Sequence, residues 1–230
     1  MRTLRVTLLA SLTIVLGLLL ASPGSENAVA AAEPPADDAV VLPSRVANAI
    51  NRAELSLDAA SQYIDTGDTA KAVASLQALR LNIFRADRAA RAQMNAAPPA
   101  DEEAEAATTG PDSVIAVLTL DQTVATSVAD LFDAKKGTTL DGLTSGLFAA
   151  MNTRDKLLTA VIALDPEGAG ADYSDGMADT VAGYDDEVAN LSEALAVDQL
   201  SVGGKKVLTA ALNQSKATQA KVAAAFGGGE

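Results

Sequence analysis

Apolar residues recur every three or four positions over long stretches of this chain between Pro43 and Phe226. This spacing places them on one face of an α-helix, since a helical turn takes 3.6 residues. No stretch alternates apolar and polar residues as a half-buried strand does. The pattern predicts an all-α protein whose six helices form three antiparallel hairpins. The first helix shows it in Val46, Ile50, Ala53, Leu57, Ala60 and Ile64.

Turn-forming residues separate the helical stretches. Gly67 and Asp68 follow the first stretch, where a glycine can end one helix and an aspartate can cap the next. Two helices alone cannot bury both of their apolar faces, so we expect the first hairpin to dock on the remaining helices or on a partner. The predicted parts are an N-terminal helical hairpin (43–95), an acidic Pro-containing linker (96–111), a four-helix bundle (112–226) and a Gly-rich tail (227–230).

The first 32 residues resemble an export signal. Two arginines precede an apolar run that ends at Leu20, and small residues suited to cleavage follow at Ala28–Ala32. We therefore predict a secretory signal peptide over residues 1–32 and a flexible stalk over residues 33–42. The alternative is an uncleaved membrane anchor, because the apolar run approaches the length that spans a bilayer.

Composition restricts the chemistry. The chain has 230 residues, with 17 Lys or Arg against 30 Asp or Glu, which gives a formal net charge of −13, and it contains no Cys, His or Trp. Disulfide frameworks, Cys or His metal centres, and catalytic relays that use imidazole or thiolate are thereby excluded. The acidity also argues against a nucleic-acid partner, since phosphate backbones are bound by clustered basic residues.

Carboxylates remain the main candidates for metal binding or catalysis. The densest run is Asp185-Asp186-Glu187, but adjacent positions on a helix point in different directions, so we interpret this run as a solvated face. No Ser-x-x-Lys or Gly-x-Ser-x-Gly sequence indicates a nucleophile. We expect no enzyme activity, no cofactor and no bound metal; the alternative is a carboxylate-based hydrolase or a metal-carrying helical bundle.

The second predicted helix carries four arginines, Arg80, Arg85, Arg88 and Arg91, in an otherwise acidic protein. Arg88 and Arg91 are neighbours on the helix surface, and Arg85 lies one turn back. One interpretation is intramolecular, with the acidic run at 101–105 lying against this strip. The other is an anionic partner, such as a cell-wall polymer or a membrane surface.

Asp121 and Arg154 interrupt the apolar faces of the third and fourth predicted helices. If the chain turns about Gly137, antiparallel helices bring the two residues to the same height. We predict that they meet as an ion pair that sets the register of the two helices, because a lone buried charge is costly. The alternative is a polar pocket for a ligand, which Asn152 or Thr153 would help to line.

Together these features favour a secreted, non-catalytic helical binding or scaffolding module at the cell envelope. We expect its partner to be a protein or an anionic polymer of the envelope, and we expect contact with the membrane only through the N-terminal segment, if cleavage fails. The pattern does not set the oligomeric state.

Overall fold

The computed structural model describes residues 42–95, 110–132, 139–164, 173–198 and 200–226. Within these ranges the chain forms six α-helices and no strand, which confirms the predicted all-α fold. The helices are α1 (Ser44–Asp65), α2 (Thr69–Met94), α3 (Gly110–Asp130), α4 (Leu140–Ile162), α5 (Ser174–Leu195) and α6 (Val202–Phe226).

The helices pack as one bundle with a shared core. Consecutive helices contact each other within the pairs α1–α2, α3–α4 and α5–α6, and further contacts join α2 to α3 and α4, α3 to α5, and α4 to α6. Residues Val41–Glu230 form one compact unit, and all six helices contribute buried apolar residues to a single cluster. This unit therefore carries its complete core.

The turn between α1 and α2 forms as the sequence predicts. Gly67 has a φ of +76°, the left-handed conformation that glycine adopts without steric cost. The Asp68 carboxylate accepts a hydrogen bond of 3.2 Å from the backbone N–H of Lys71, and so caps the first turn of α2. The two helices are thereby joined by a short connection and fold back on one another.

Small residues let α3 and α5 approach closely. A Cβ atom added to Gly183 of α5 would lie 2.5 Å from Oε1 of Gln122 on α3. The Gln122 side chain in turn donates from Nε2 to the carbonyl oxygen of Thr180, at 2.9 Å. This contact holds together the two helices that carry Asp121 and Glu187.

Several sequence predictions fall outside the described residues. These are the signal peptide (1–32), nearly all of the stalk (33–42), the Gly-rich tail (227–230) and the linker, except that its last two residues open α3. Among the described helices, none combines the length and the apolar character needed to cross a bilayer.

Candidate functional site

A groove on the outer face of the α1–α2 hairpin is lined by four arginines. Its volume is about 460 Å³, and we call it the arginine groove. The arginines are all exposed, and the small side chains of Ala49 and Ala89 leave room between them. The groove is lined by Arg45, Asn48, Ala49 and Arg52 of α1 and by Arg85, Arg88, Ala89, Ala92 and Gln93 of α2.

Helical spacing and one buried amide position these side chains. Arg45 and Arg52 are seven residues apart and Arg85 and Arg88 three apart, so each pair shares a helix face. Asn82 is 7% exposed and donates from Nδ2 to the carbonyl oxygen of Arg52, at 3.1 Å. Its Oδ1 accepts from Nη1 of Arg85 at 2.9 Å. Asn82 therefore fixes the relative height of the two helices and orients one arginine of the groove.

The four guanidinium groups lack counter-charges within the described residues. No carboxylate in those ranges lies within ion-pair distance of Arg45, Arg52, Arg85 or Arg88. A guanidinium presents a planar fork of N–H donors that matches carboxylate or phosphate oxygens. The groove is therefore suited to bind an anion.

Only half of the predicted arginine strip lines this groove. Arg80 donates from Nη1 to Oγ of Ser145 on α4 at 3.4 Å, and Arg91 pairs with both carboxylate oxygens of Asp87, at 3.0 and 3.1 Å. Sequence reasoning missed Arg45 and Arg52 because the partner face lies on another helix, although their seven-residue spacing was a usable signal.

A second group of polar side chains is buried inside the bundle, and we call it the polar cluster. Arg154 is fully buried; its Nη1 donates to Oε2 of Glu187, and its guanidinium carbon lies 4.5 Å from the centre of the Tyr184 ring. Oε1 of Glu187 accepts from the Ser215 hydroxyl. The cluster joins α3, α4, α5 and α6 through Asp121, Thr153, Arg154, Tyr184, Glu187 and Ser215.

Burial dominates the electrostatics of the polar cluster. Burial raises the pKa of Asp121 well above its ordinary value, against the opposing effects of the hydrogen bond from Thr153 and the charge of Arg154. Burial is the largest single effect and by itself would lower the pKa of Arg154, but the charges of Glu187, Tyr184 and Asp155 and the hydrogen bond to Glu187 together outweigh it and raise that pKa. The Arg154–Glu187 pair lies at the centre of the cluster, and Asp121 is held where its charge is disfavoured.

The structure places Asp121 and Arg154 in one cluster, but each has a different direct partner. Oδ2 of Asp121 accepts from the Thr153 hydroxyl at 2.9 Å. Arg154 forms an ion pair with Glu187 and a longer one with Asp155, whose Oδ1 lies 3.6 Å from its Nε. Asp121, Thr153 and Arg154 are buried, whereas Asn152 lies on the surface.

The interpretation of Asp185-Asp186-Glu187 as a solvated face is wrong for its last residue. Asp185 and Asp186 are exposed, but Glu187 is fully buried. It follows Tyr184 by three positions and therefore shares the inward face of α5. The described residues contain no group of three or more carboxylates placed to hold a metal ion.

The comparisons with protein-family models, curated proteins and solved structures found no match for this chain. Its function is therefore inferred from the chemistry of its own side chains.

Proposed function

We propose that this protein is an exported, non-catalytic helical module that binds an anionic partner at the cell envelope through the arginine groove. The observation that carries the proposal is the set of four exposed guanidiniums that have no counter-charge among the described residues, on one face of a strongly acidic chain. Like charges gathered on one surface repel each other, and an anion bound between them relieves that repulsion.

The distribution of charge along the sequence supports this choice of surface. Residues 43–95 carry seven basic and five acidic residues, whereas residues 96–230 carry eight basic and twenty-one acidic ones. The hairpin is therefore the basic part of the chain. A partner with negative charge would be attracted to the hairpin and repelled by the rest, which gives binding a preferred orientation.

The type of cation is also segregated. Apart from Arg2, Arg5 and the buried Arg154, every arginine of the chain lies on α1 or α2, whereas Lys71 is the one lysine of that hairpin. Arginine binds phosphate and carboxylate oxygens with two parallel hydrogen bonds, and lysine acts as a point charge. This segregation favours recognition of oxyanions over a general attraction between charges.

The test uses residues 33–230, which keep the whole compact unit and omit the N-terminal apolar run. Titration with inorganic polyphosphate, followed by calorimetry, measures binding of a soluble polyanion. We expect the affinity to fall as the salt concentration rises. We also expect it to be much lower in the double variant Arg52→Gln/Arg85→Gln. The matched control is Lys205→Gln/Lys216→Gln, which removes the same charge from exposed positions on α6.

Two results of this titration would contradict the proposal. The first is no binding at low salt, and the second is an equal loss of affinity in the control variant. A third variant, in which the acids at 101–105 are replaced by their amides, tests the intramolecular alternative. If polyphosphate bound only to that variant, the linker would be the occupant of the groove and the proposed partner would be wrong.

A further inference from the structure

Three large apolar side chains are exposed on the same hairpin as the arginine groove. Leu55 is 62% exposed, Leu81 56% and Phe84 41%. On α2, Leu81 and Phe84 lie on the same side of the helix as Arg85 and Arg88, because these positions are three or four residues apart. Exposed apolar groups beside a charged groove indicate a surface that contacts something other than water.

The apolar side chains from the two helices lie at the same height. The amide of Asn82 donates both to the carbonyl oxygen of Arg52, at 3.1 Å, and to Oγ of Ser56, at 3.2 Å. These bonds place residues 52–56 of α1 beside residue 82 of α2, so that Leu55 and Leu81 are at one level. The outer face of the hairpin thus runs from a basic part to an apolar part.

One apolar side chain is also linked to a cation. The Arg80 guanidinium lies 5.6 Å from the centre of the Phe84 ring. An arginine on an aromatic ring can keep its charge among polar headgroups while the ring sits deeper, an arrangement found where proteins meet membranes.

We propose that the anionic partner of the arginine groove is the surface of a lipid bilayer that contains anionic phospholipids. The inference rests on the proposed function and names the partner class of that site. The arginines would bind lipid phosphates, and Leu55, Leu81 and Phe84 would enter the boundary between headgroups and acyl chains. A soluble polyanion would use the arginines but would leave the three apolar side chains in water.

The charge of the remaining chain agrees with peripheral attachment through this face. Residues 96–230 have thirteen more acidic than basic residues, so an anionic surface repels them. The hairpin would then lie flat on the bilayer with the acidic helices turned away. Attachment of this kind needs no membrane-spanning helix.

The experiment measures flotation of residues 33–230 with lipid vesicles. One vesicle type contains equal parts of phosphatidylglycerol and phosphatidylcholine, and the other contains phosphatidylcholine alone. We expect binding to the first type only. Replacing two groove arginines, in Arg52→Gln/Arg85→Gln, should weaken it about 25-fold, from roughly fivefold for each arginine near an anionic surface.

The apolar variant separates lipid from other anions. Leu55→Ser/Leu81→Ser should weaken vesicle binding by at least about tenfold, since each leucine loses its transfer into the apolar region. The same variant should leave polyphosphate binding unchanged. Val202→Ser is the matched control, because Val202 is 88% exposed on α6, away from the hairpin. Thermal melts of all variants check that they are folded.

The outcomes distinguish this inference from the proposed function. Polyphosphate binding without vesicle binding would overturn the lipid inference and leave an anionic polymer as the partner. Binding of neither would overturn both. If sedimentation showed a dimer that the Leu55→Ser/Leu81→Ser variant abolished, a second copy of the chain would be the occupant and the lipid inference would be wrong.

Discussion

The Arg154–Glu187 ion pair allows a quantitative test of how the bundle is held together. Both side chains are completely buried, so neither charge is solvated by water. Replacing Arg154 with Met keeps a long apolar side chain but leaves Glu187 buried with only the hydrogen bond from Ser215. Removing one partner of a buried pair costs roughly 3–5 kcal/mol, because the other charge is left uncompensated.

That loss should be visible in thermal unfolding. For a domain of this size, each kcal/mol lowers the midpoint by about 2–4 °C, so Arg154→Met should melt roughly 6–20 °C below the unmodified chain. We expect Glu187→Leu to destabilise the protein by less, because Arg154 keeps its second ion pair, with Oδ1 of Asp155 at 3.6 Å. The double variant Arg154→Met/Glu187→Leu should be more stable than Arg154→Met alone, since it no longer leaves Glu187 buried without its partner. Circular dichroism of the helices and urea titration measure these differences.

Two further variants serve as controls for this double-mutant cycle. The coupling energy between Arg154→Met and Asp121→Asn should be smaller than that between Arg154→Met and Glu187→Leu, because no direct hydrogen bond joins Arg154 to Asp121. Lys71→Met removes one partner of an exposed ion pair and should change the midpoint little. If Arg154→Met and Glu187→Leu were additive within about 0.5 kcal/mol, the buried ion pair would not exist in solution and the reasoning would be refuted.

Two further predictions concern single positions. Asp121→Asn should stabilise the protein at neutral pH but not near pH 4. Because the folded state raises the pKa of Asp121, the unmodified protein loses stability as the pH rises from 3.8, the ordinary pKa, through the folded-state pKa. Urea titrations at several pH values measure the stability difference between the variant and the unmodified protein, and a difference that did not change with pH would contradict the prediction. Gly67→Ala should lower the free energy of unfolding by about 1 kcal/mol, because a φ of +76° is strained for alanine. Gly67→Asn should lower it by less, since asparagine tolerates this conformation better. Equal melting temperatures for the two variants would show that this conformation does not matter for stability.

The sequence by itself determined the elements of this fold. Helix periodicity and turn residues are local properties, so the α1–α2 turn at Gly67-Asp68 could be placed from residue type alone. The same reasoning recognised Asp121 and Arg154 as polar residues on inward faces, and both are fully buried. It also picked out arginines of α2 as a basic surface in an acidic chain.

Only the tertiary structure decided which side chains meet. A helix can be rotated by a fraction of a turn without disturbing its apolar pattern, and such a rotation moves a charged residue from solvent to core. The packing of α5 against α3 and α6 therefore buried Glu187 and made it the partner of Arg154, in preference to Asp121. In the same way, the packing of α1 against α2 joined arginines from two helices into one groove, because that surface exists only where the two helices lie side by side.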